Sequence, residues 1–286
     1  MTAHARVSTP PTHAADLYFS VGRTRLRYRD AGSGPAVLLV HGWTLDLSMW
    51  EPQVEALRDS FRLICLDRRG HGLSGGTSAP ERDYEDLNAL CRHLALKRVA
   101  LIGMSQGVRS VLRFAGAAPA QVAAVILDGP PALHSESDPE VPLERYATLV
   151  RTQGVEAFRH EWASHALLQL RTQDPEMRAR ATAMTARYSG NDLKSPATSP
   201  EPASARVSPG AVVAPALVLS GEYDLPGRRQ AARELAAQLP DAELAVVPAA
   251  GHLPNLDNPE HYSQLCRAFL TRHCSPRDRF RRSAHA

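Results

Sequence analysis

The amino-acid sequence predicts an α/β fold in which a mostly parallel, eight-stranded sheet is flanked by helices and interrupted by a helical insertion. Three observations carry that prediction. Short apolar runs alternate with helical periodicity from residue 36 to 127, and again from 216 to 272. Between 132 and about 212 helical patterns persist with no strand-like run. Finally, the run Arg98-Val99-Ala100-Leu101-Ile102 enters Gly103-Met104-Ser105-Gln106-Gly107 and meets a helical pattern in Val108, Val111, Leu112 and Ala115. Ser105 therefore lies on a strand-to-helix corner, where glycines two before and two after it admit a tight, strained turn.

Leu17 to Val21 and Thr24 to Arg29 alternate apolar and polar residues about Gly22, the pattern of an antiparallel hairpin at a sheet edge. A turn at Ala31-Gly32-Ser33-Gly34-Pro35 leads to the buried strand Ala36 to Val40, which stops at His41-Gly42-Trp43. Helix Trp50 to Asp59, strand Arg62 to Leu66, helix Tyr84 to Leu96, strand Arg98 to Ile102, helix Ser105 to Ala117 and strand Val122 to Leu127 follow. Such alternation means parallel strands joined by crossover helices, with ligands bound beyond the carboxyl ends of the strands. In the insertion, Leu143 to Thr152 and Val155 to Leu170 read as helices, and Asp174-Pro175-Glu176 caps a third running to about Tyr188. Ser195 to Gly210, crowded with Pro, Ser and Ala, reads as a linker. Strand Ala216 to Ser220, helix Gly227 to Leu239, strand Glu243 to Val247 and helix Glu260 to Arg272 complete the sheet.

At 286 residues the chain is long enough for a substantial core. Residues 1 to 15 lack periodicity and read as a mobile leader rather than a secretory signal, and no run approaches the roughly 18 apolar residues of a membrane span. The net charge of +3 resides in the tail, where residues 275 to 286 hold four arginines against one aspartate. A neutral body argues against nucleic-acid binding, and the tail reads as a solvated terminus. Cys65, Cys91, Cys266 and Cys274 lack paired spacing, so neither disulfide nor metal site is expected. A cytoplasmic protein fits these features.

A serine hydroxyl is a weak nucleophile at neutral pH and needs a base, which in turn needs a group to fix its tautomer. The loop Ala249-Ala250-Gly251-His252-Leu253-Pro254 follows the last strand, and Gly221-Glu222-Tyr223-Asp224-Leu225-Pro226 follows the one before it. His252 is the candidate base and Asp224 the candidate acid, with Glu222 two residues away.

The order nucleophile, acid, histidine, with a helical insertion before the acid, resembles the α/β-hydrolase fold family, whose Gly-x-Ser-x-Gly elbow is matched by Gly-Met-Ser-Gln-Gly. The chain is similar to that family again at His41-Gly42-Trp43 and at Asp67-Arg68-Arg69-Gly70-His71-Gly72-Leu73-Ser74, a loop of its esterases, lactonases and cofactor-free haloperoxidases. The resemblance spans about Leu17 to Cys274. It implies backbone N–H donors at Trp43 and Gln106 facing a developing oxyanion, structural roles for His41 and His71, and Asp128 as an alternative position for the acid.

The break in alternation divides the chain into a core of residues 16 to 131 and 213 to 274 and a helical lid at 132 to 212, and the arginine-rich residues 275 to 286 form a basic tail. The implied activity is hydrolysis of a carboxylic ester, lactone or thioester through an acyl-enzyme, with a small-molecule acyl substrate and no metal or organic cofactor. Lyase, cyclase or carbon–carbon cleavage on the same scaffold, and a ligand-binding protein that retains the triad, stay open. Leu143, Tyr146, Phe158, Trp162, Leu167, Leu168 and Met184 are candidate lining residues of the lid, against the plainer reading of helix packing. His93, His160 and His165 default to surface or core positions. The chain departs from the family where Val108 and Arg109 follow the elbow; Arg109 and Arg113 read as a solvated basic edge.

Overall fold

Strand formation here follows from runs that are apolar on both sides, which only a sheet covered on both faces can bury. A computed structural model describes residues 14–132, 138, 140–194 and 208–274. The edge hairpin is Leu17–Val21 (β1) with Thr24–Ala31 (β2). Ala36–Val40 (β3), Glu51–Leu57 (α1), Arg62–Leu66 (β4), Asp83–His93 (α2), Val99–Met104 (β5), Gln106–Ala117 (α3) and Val122–Asp128 (β6) follow. The insertion contributes Leu143–Gln153 (α4), Val155–Ala163 (α5), Pro175–Arg187 (α6) and Asn191–Lys194 (α7). Ala216–Gly221 (β7), Pro226–Gln238 (α8), Ala242–Val247 (β8), Pro254–Asp257 (α9) and Pro259–Cys274 (α10) close the fold.

The eight strands run in the order β1-β2-β4-β3-β5-β6-β7-β8, antiparallel across β1, β2 and β4 and parallel from β4 onward. Alternate residues of each strand feed two separate cores. Val37, Leu39, Leu63, Cys65, Ile102 and Ile126 join side chains from α1 and α10 on one face. Leu38, Val40, Ile64, Leu66, Leu101 and Leu127 join α2, α3 and α8 on the other. Each such leucine or isoleucine contributes about 1.5–3 kcal/mol on burial, so the sheet is held by apolar cores on both faces. β3 lies between β4 and β5, so the chain leaves it in opposite directions and opens a crevice at the carboxyl ends of β3 and β5. His41-Gly42-Trp43 and Ser105 border that crevice.

The insertion has its own core of Tyr146, Val150, Phe158, Trp162, Leu167, Tyr188 and Leu193, against which Trp43 packs. Met184, with Met177 and Ala181, instead joins the core beneath the sheet. Of the candidate lining residues, Leu143 is exposed, and Tyr146, Phe158, Trp162 and Leu167 are packing residues of this cluster. Asp174 accepts hydrogen bonds from the amides of Glu176 and Met177, and Pro175 starts α6, as its capping sequence predicts. The helix expected over Val155 to Leu170 is shorter. α5 ends at Ala163, and His165 turns extended so that its Nδ1 accepts the Leu167 N–H at the start of a separate 3-10 turn. α2 stops at His93, short of Leu96, because Ala95 takes the left-handed φ of 52°.

Residues 1–13, 195–207 and 275–286 lie outside the described residues, and with them most of the expected leader and linker and all of the basic tail. Among the described residues no helix is long and apolar enough to cross a membrane.

Candidate active site

Ser105 caps the N-terminus of α3 with φ 51° and ψ −117°, a left-handed conformation that a side chain adopts only under constraint. The constraint is visible. Its N–H donates to the Asp128 carbonyl at 2.7 Å, and its own carbonyl accepts the Val108 N–H at 2.9 Å. A Cβ on Gly107 would press into the carbonyls of Val40 and His41, and one on Gly103 would stand 2.6 Å from the Gly107 carbonyl. Only glycine at both positions lets helix and sheet approach closely enough to form the corner.

The structure brings Ser105, His252 and Asp224 together from three separate loops. His252 Nε2 lies 3.1 Å from Ser105 Oγ, and His252 Nδ1 lies 2.9 and 3.1 Å from the two carboxyl oxygens of Asp224. With Nδ1–H donating to the carboxylate, Nε2 is left as the acceptor for the serine hydroxyl. Asp224 and His252 are both buried. Asp224 is oriented further by the Leu225 N–H, which donates to Oδ1 at 2.7 Å. Glu222, the neighbouring acid, accepts the Ala249 N–H at 2.9 Å and so ties the acid loop to the histidine loop. Asp257 completes that anchoring, accepting the Gly251 N–H at 2.7 Å on one oxygen and the Arg171 and Thr172 amides at 2.6 and 3.0 Å on the other.

Asp128 makes no hydrogen bond to the imidazole. It is wholly buried beside Tyr262, and burial, reinforced by the nearby Asp224 charge, pushes its carboxyl well above the usual carboxylate range. Asp128 therefore lies outside the hydrogen-bonded chain that Asp224 completes with His252. Gly129, next in the chain, keeps this corner open, since a Cβ there would stand 3.0 Å from His252 Cε1.

Gly42 brings the loop after β3 against the corner: a Cβ on it would lie 2.9 Å from Met104 Sδ and 3.2 Å from Ser105 Cβ. Among the described residues no protein acceptor takes the amide N–H of Trp43 or of Gln106. The Gln106 side chain is engaged elsewhere, its Oε1 accepting from Arg68 Nη1 at 2.7 Å, while Arg68 Nη2 pairs with buried Asp83 at 2.8 Å. The Trp43 indole N–H donates to Asp192 at 2.8 Å.

His41 and His71 take the structural roles expected of them. His41 Nδ1–H donates to the Gly42 carbonyl at 2.7 Å and its Nε2 accepts the Arg68 N–H at 2.9 Å. Burial, and secondarily His71 and Arg68, hold it well below the ordinary imidazole pKa, so it stays neutral. His71 Nδ1–H donates to the Arg69 carbonyl at 3.1 Å. The loop between them is organised by Asp67, which receives the Leu47 and Leu73 amides at 2.8 Å and pairs with Arg27 at 2.8 Å; burial raises its carboxyl to about 6.

The basic edge expected at Arg109 and Arg113 is corrected. Arg109 donates to the Ala132 carbonyl at 2.8 Å and Arg113 to the Pro80 carbonyl, so both are half-buried anchors of neighbouring loops. Asp192 and Thr44 are functional candidates that sequence reasoning misses, since no motif marks them and their partners lie far away in the chain. Among the described residues no group of three or more His, Cys, Asp or Glu side chains is arranged to hold a metal ion.

The sequence profile of the alpha/beta hydrolase fold matches residues 35–259. The chain is 31% identical over 274 residues to a 2-(acetamidomethylene)succinate hydrolase of Mesorhizobium japonicum, covering 86% of this chain and 93% of that protein. It is also similar to the solved structure of a thermophilic esterase from Thermogutta terrifontis, with a TM-score of 0.72 and 28% identity over 92% of this chain and all of that one. The enol-lactonase of Burkholderia xenovorans LB400 superposes with a TM-score of 0.73 at 27% identity, covering 89% of this chain and 100% of the other. Sheet order, elbow and profile agree, and the chain belongs to the alpha/beta hydrolase fold family.

Proposed function

We propose that the protein is a serine hydrolase that opens a carboxylic ester, lactone or thioester of a small molecule through an acyl-enzyme on Ser105. The observation that carries this reading is the continuous hydrogen-bonded chain from Ser105 Oγ through His252 to Asp224, set on a left-handed corner. The names of the relatives, an esterase and an enol-lactonase among them, support acyl chemistry.

In the first half-reaction His252 Nε2 takes the Ser105 hydroxyl proton as Oγ attacks the carbonyl carbon. The tetrahedral oxyanion is held by the Trp43 and Gln106 amides, each such donor contributing about 2.7–4 kcal/mol in acyl transfer. The imidazolium returns the proton to the leaving alcohol or thiol, and the carbon–oxygen or carbon–sulfur bond breaks. In the second half-reaction His252 takes a proton from water, whose oxygen attacks the acyl carbon, and gives it back to Ser105 as the acid is released. Asp224 keeps its charge and orients the imidazole throughout. The division proposed is a core of residues 16 to 131 and 213 to 274 and a lid assigned to 132 to 212, whose described helices span residues 143 to 194.

A panel of p-nitrophenyl esters and lactones, assayed with the wild type and with Ser105→Ala, tests the reading. Turnover that disappears in Ser105→Ala supports it. Equal turnover in the variant, or no turnover of any acyl compound by the wild type, overturns it.

A further inference from the structure

We propose that Asp192 is a positioning residue: from the insertion it holds the Trp43 loop so that the Trp43 amide stays above Ser105. This rests on the assignment of that amide as an oxyanion donor. The loop needs holding. Thr44, immediately after Trp43, has a φ of 61°, a left-handed conformation costly for a β-branched residue. Glycine stands at position 42, where close contact with Ser105 demands it, so the loop has little intrinsic preference for the geometry it adopts.

The contacts that impose the geometry come from the insertion. The Trp43 indole N–H donates to Asp192 Oδ2 at 2.8 Å, and the Tyr188 hydroxyl donates to Asp192 Oδ1 at 2.6 Å. Both carboxyl oxygens are thus used, and one carboxylate bridges the loop to the end of α6. Burial, then the Asp192 charge, raises the Tyr188 phenol far above its ordinary pKa, so it remains a donor. The Trp162 indole N–H donates to Thr44 Oγ1 at 2.8 Å in a buried bond, which holds the strained residue itself. Further along, Arg187 Nε donates to Asp46 at 2.8 Å and Arg180 Nη1 to the Ser48 carbonyl at 3.1 Å. The Trp43 ring is wedged edge-on between Trp162 and Tyr188, at centroid distances of 5.1 and 5.8 Å.

Asp192 makes no hydrogen bond to Ser105 or His252; it reaches the Trp43 loop through the indole N–H and through Tyr188, which packs on the Trp43 ring. An insertion that only caps the substrate would change affinity when loosened. One that also sets the oxyanion donor changes the rate of the acyl-transfer step, since a donor displaced from the oxyanion is lost in the transition state more than in the ground state.

The test is a double-mutant cycle on Asp192→Ala and Trp43→Phe, which removes the indole N–H but keeps the backbone amide. Each is assayed with a p-nitrophenyl ester turned over by the wild type, and by the rate of phosphonylation with a fluorophosphonate. Asp192→Ala is expected to lower kcat about 10- to 100-fold, a fraction of the full loss of a donor, with KM changed less than about threefold and phosphonylation slowed in proportion. Trp43→Phe should do the same, and the double variant should be no worse than the poorer single variant. Arg145→Ala, which breaks an exposed ion pair between α4 and α5, should leave both readouts unchanged. If Asp192→Ala fails to fold, Asp192→Asn, which keeps the volume and one acceptor, takes its place with a smaller expected loss in kcat. Unchanged kcat, a change confined to KM, or losses that multiply in the double variant overturn the proposal. Ester turnover that survives Ser105→Ala overturns the underlying functional reading instead.

Discussion

Replacing Asp224 by Asn isolates what the carboxylate does, because the structure dictates how the amide would sit. Asp224 Oδ1 already accepts the Leu225 N–H at 2.7 Å, a position that only an acceptor can fill. The Asn oxygen must take that place, which leaves the NH₂ group facing His252 Nδ1, where Oδ2 now stands at 2.9 Å. An amide N–H pointing at Nδ1 forces the proton onto Nε2. The imidazole then donates to Ser105 Oγ and cannot take its proton. A reversed tautomer in such a triad costs about 10⁴ in kcat, or about 5.5 kcal/mol of transition-state stabilisation. The assay is steady-state hydrolysis of a p-nitrophenyl ester, with thermal unfolding to establish that the variant is folded. Asp128→Asn is the control: its carboxyl makes no bond to the imidazole, which Asp224 holds, so its amide analogue should keep kcat within about threefold. Retention of more than a tenth of the activity in Asp224→Asn, or collapse of activity in Asp128→Asn, would refute the reasoning and move the acid to β6.

Gly107→Ala is expected to destabilise the fold by about 1–3 kcal/mol in urea unfolding, since the new methyl meets backbone carbonyls of Val40 and His41 rather than yielding side chains. Asp257→Ala strips acceptors from the Gly251, Arg171 and Thr172 amides and should lower kcat about tenfold or more by freeing the His252 loop, with a loss of stability of about 1–3 kcal/mol. Asp67 makes a pH prediction. Its carboxyl titrates near 6 in the fold against 3.8 as a free side chain, so the folded state binds its proton more tightly. It therefore subtracts at most about 3 kcal/mol as pH rises from about 4 to 6. Asp67→Asn should flatten the fall of unfolding free energy across that window, and a slope equal to the wild type's would count against the assignment.

The strands were the most legible part of the fold, because runs such as Val37 to Val40 and Leu101 to Met104 are buried on both sides and leave no polar alternative. The site was legible for a related reason: Ser105, Asp224 and His252 each sit on a loop directly after a strand, so strand order alone brings them to one end of the sheet. Helix ends were less so. Ala95 ends α2 by adopting a left-handed φ that nothing in alanine announces, and α5 breaks where His165 prefers a backbone amide to a further helical turn. Arg109 and Arg113 have the spacing of a solvated edge, but their guanidiniums reach carbonyls of loops distant in the chain, which periodicity does not record. Asp192 is the extreme case. Its partner Trp43 lies 149 residues away, and only the packing of the insertion brings them within hydrogen-bonding distance.

Mass spectrometry of the protein after treatment with a fluorophosphonate tests the central claim most directly. A single covalent adduct is expected, mapping to the peptide that carries Ser105, absent in Ser105→Ala and formed far more slowly in His252→Ala. An adduct on another residue, or labelling of Ser105 at the same rate without His252, would contradict the account of Ser105 as a nucleophile activated by that histidine.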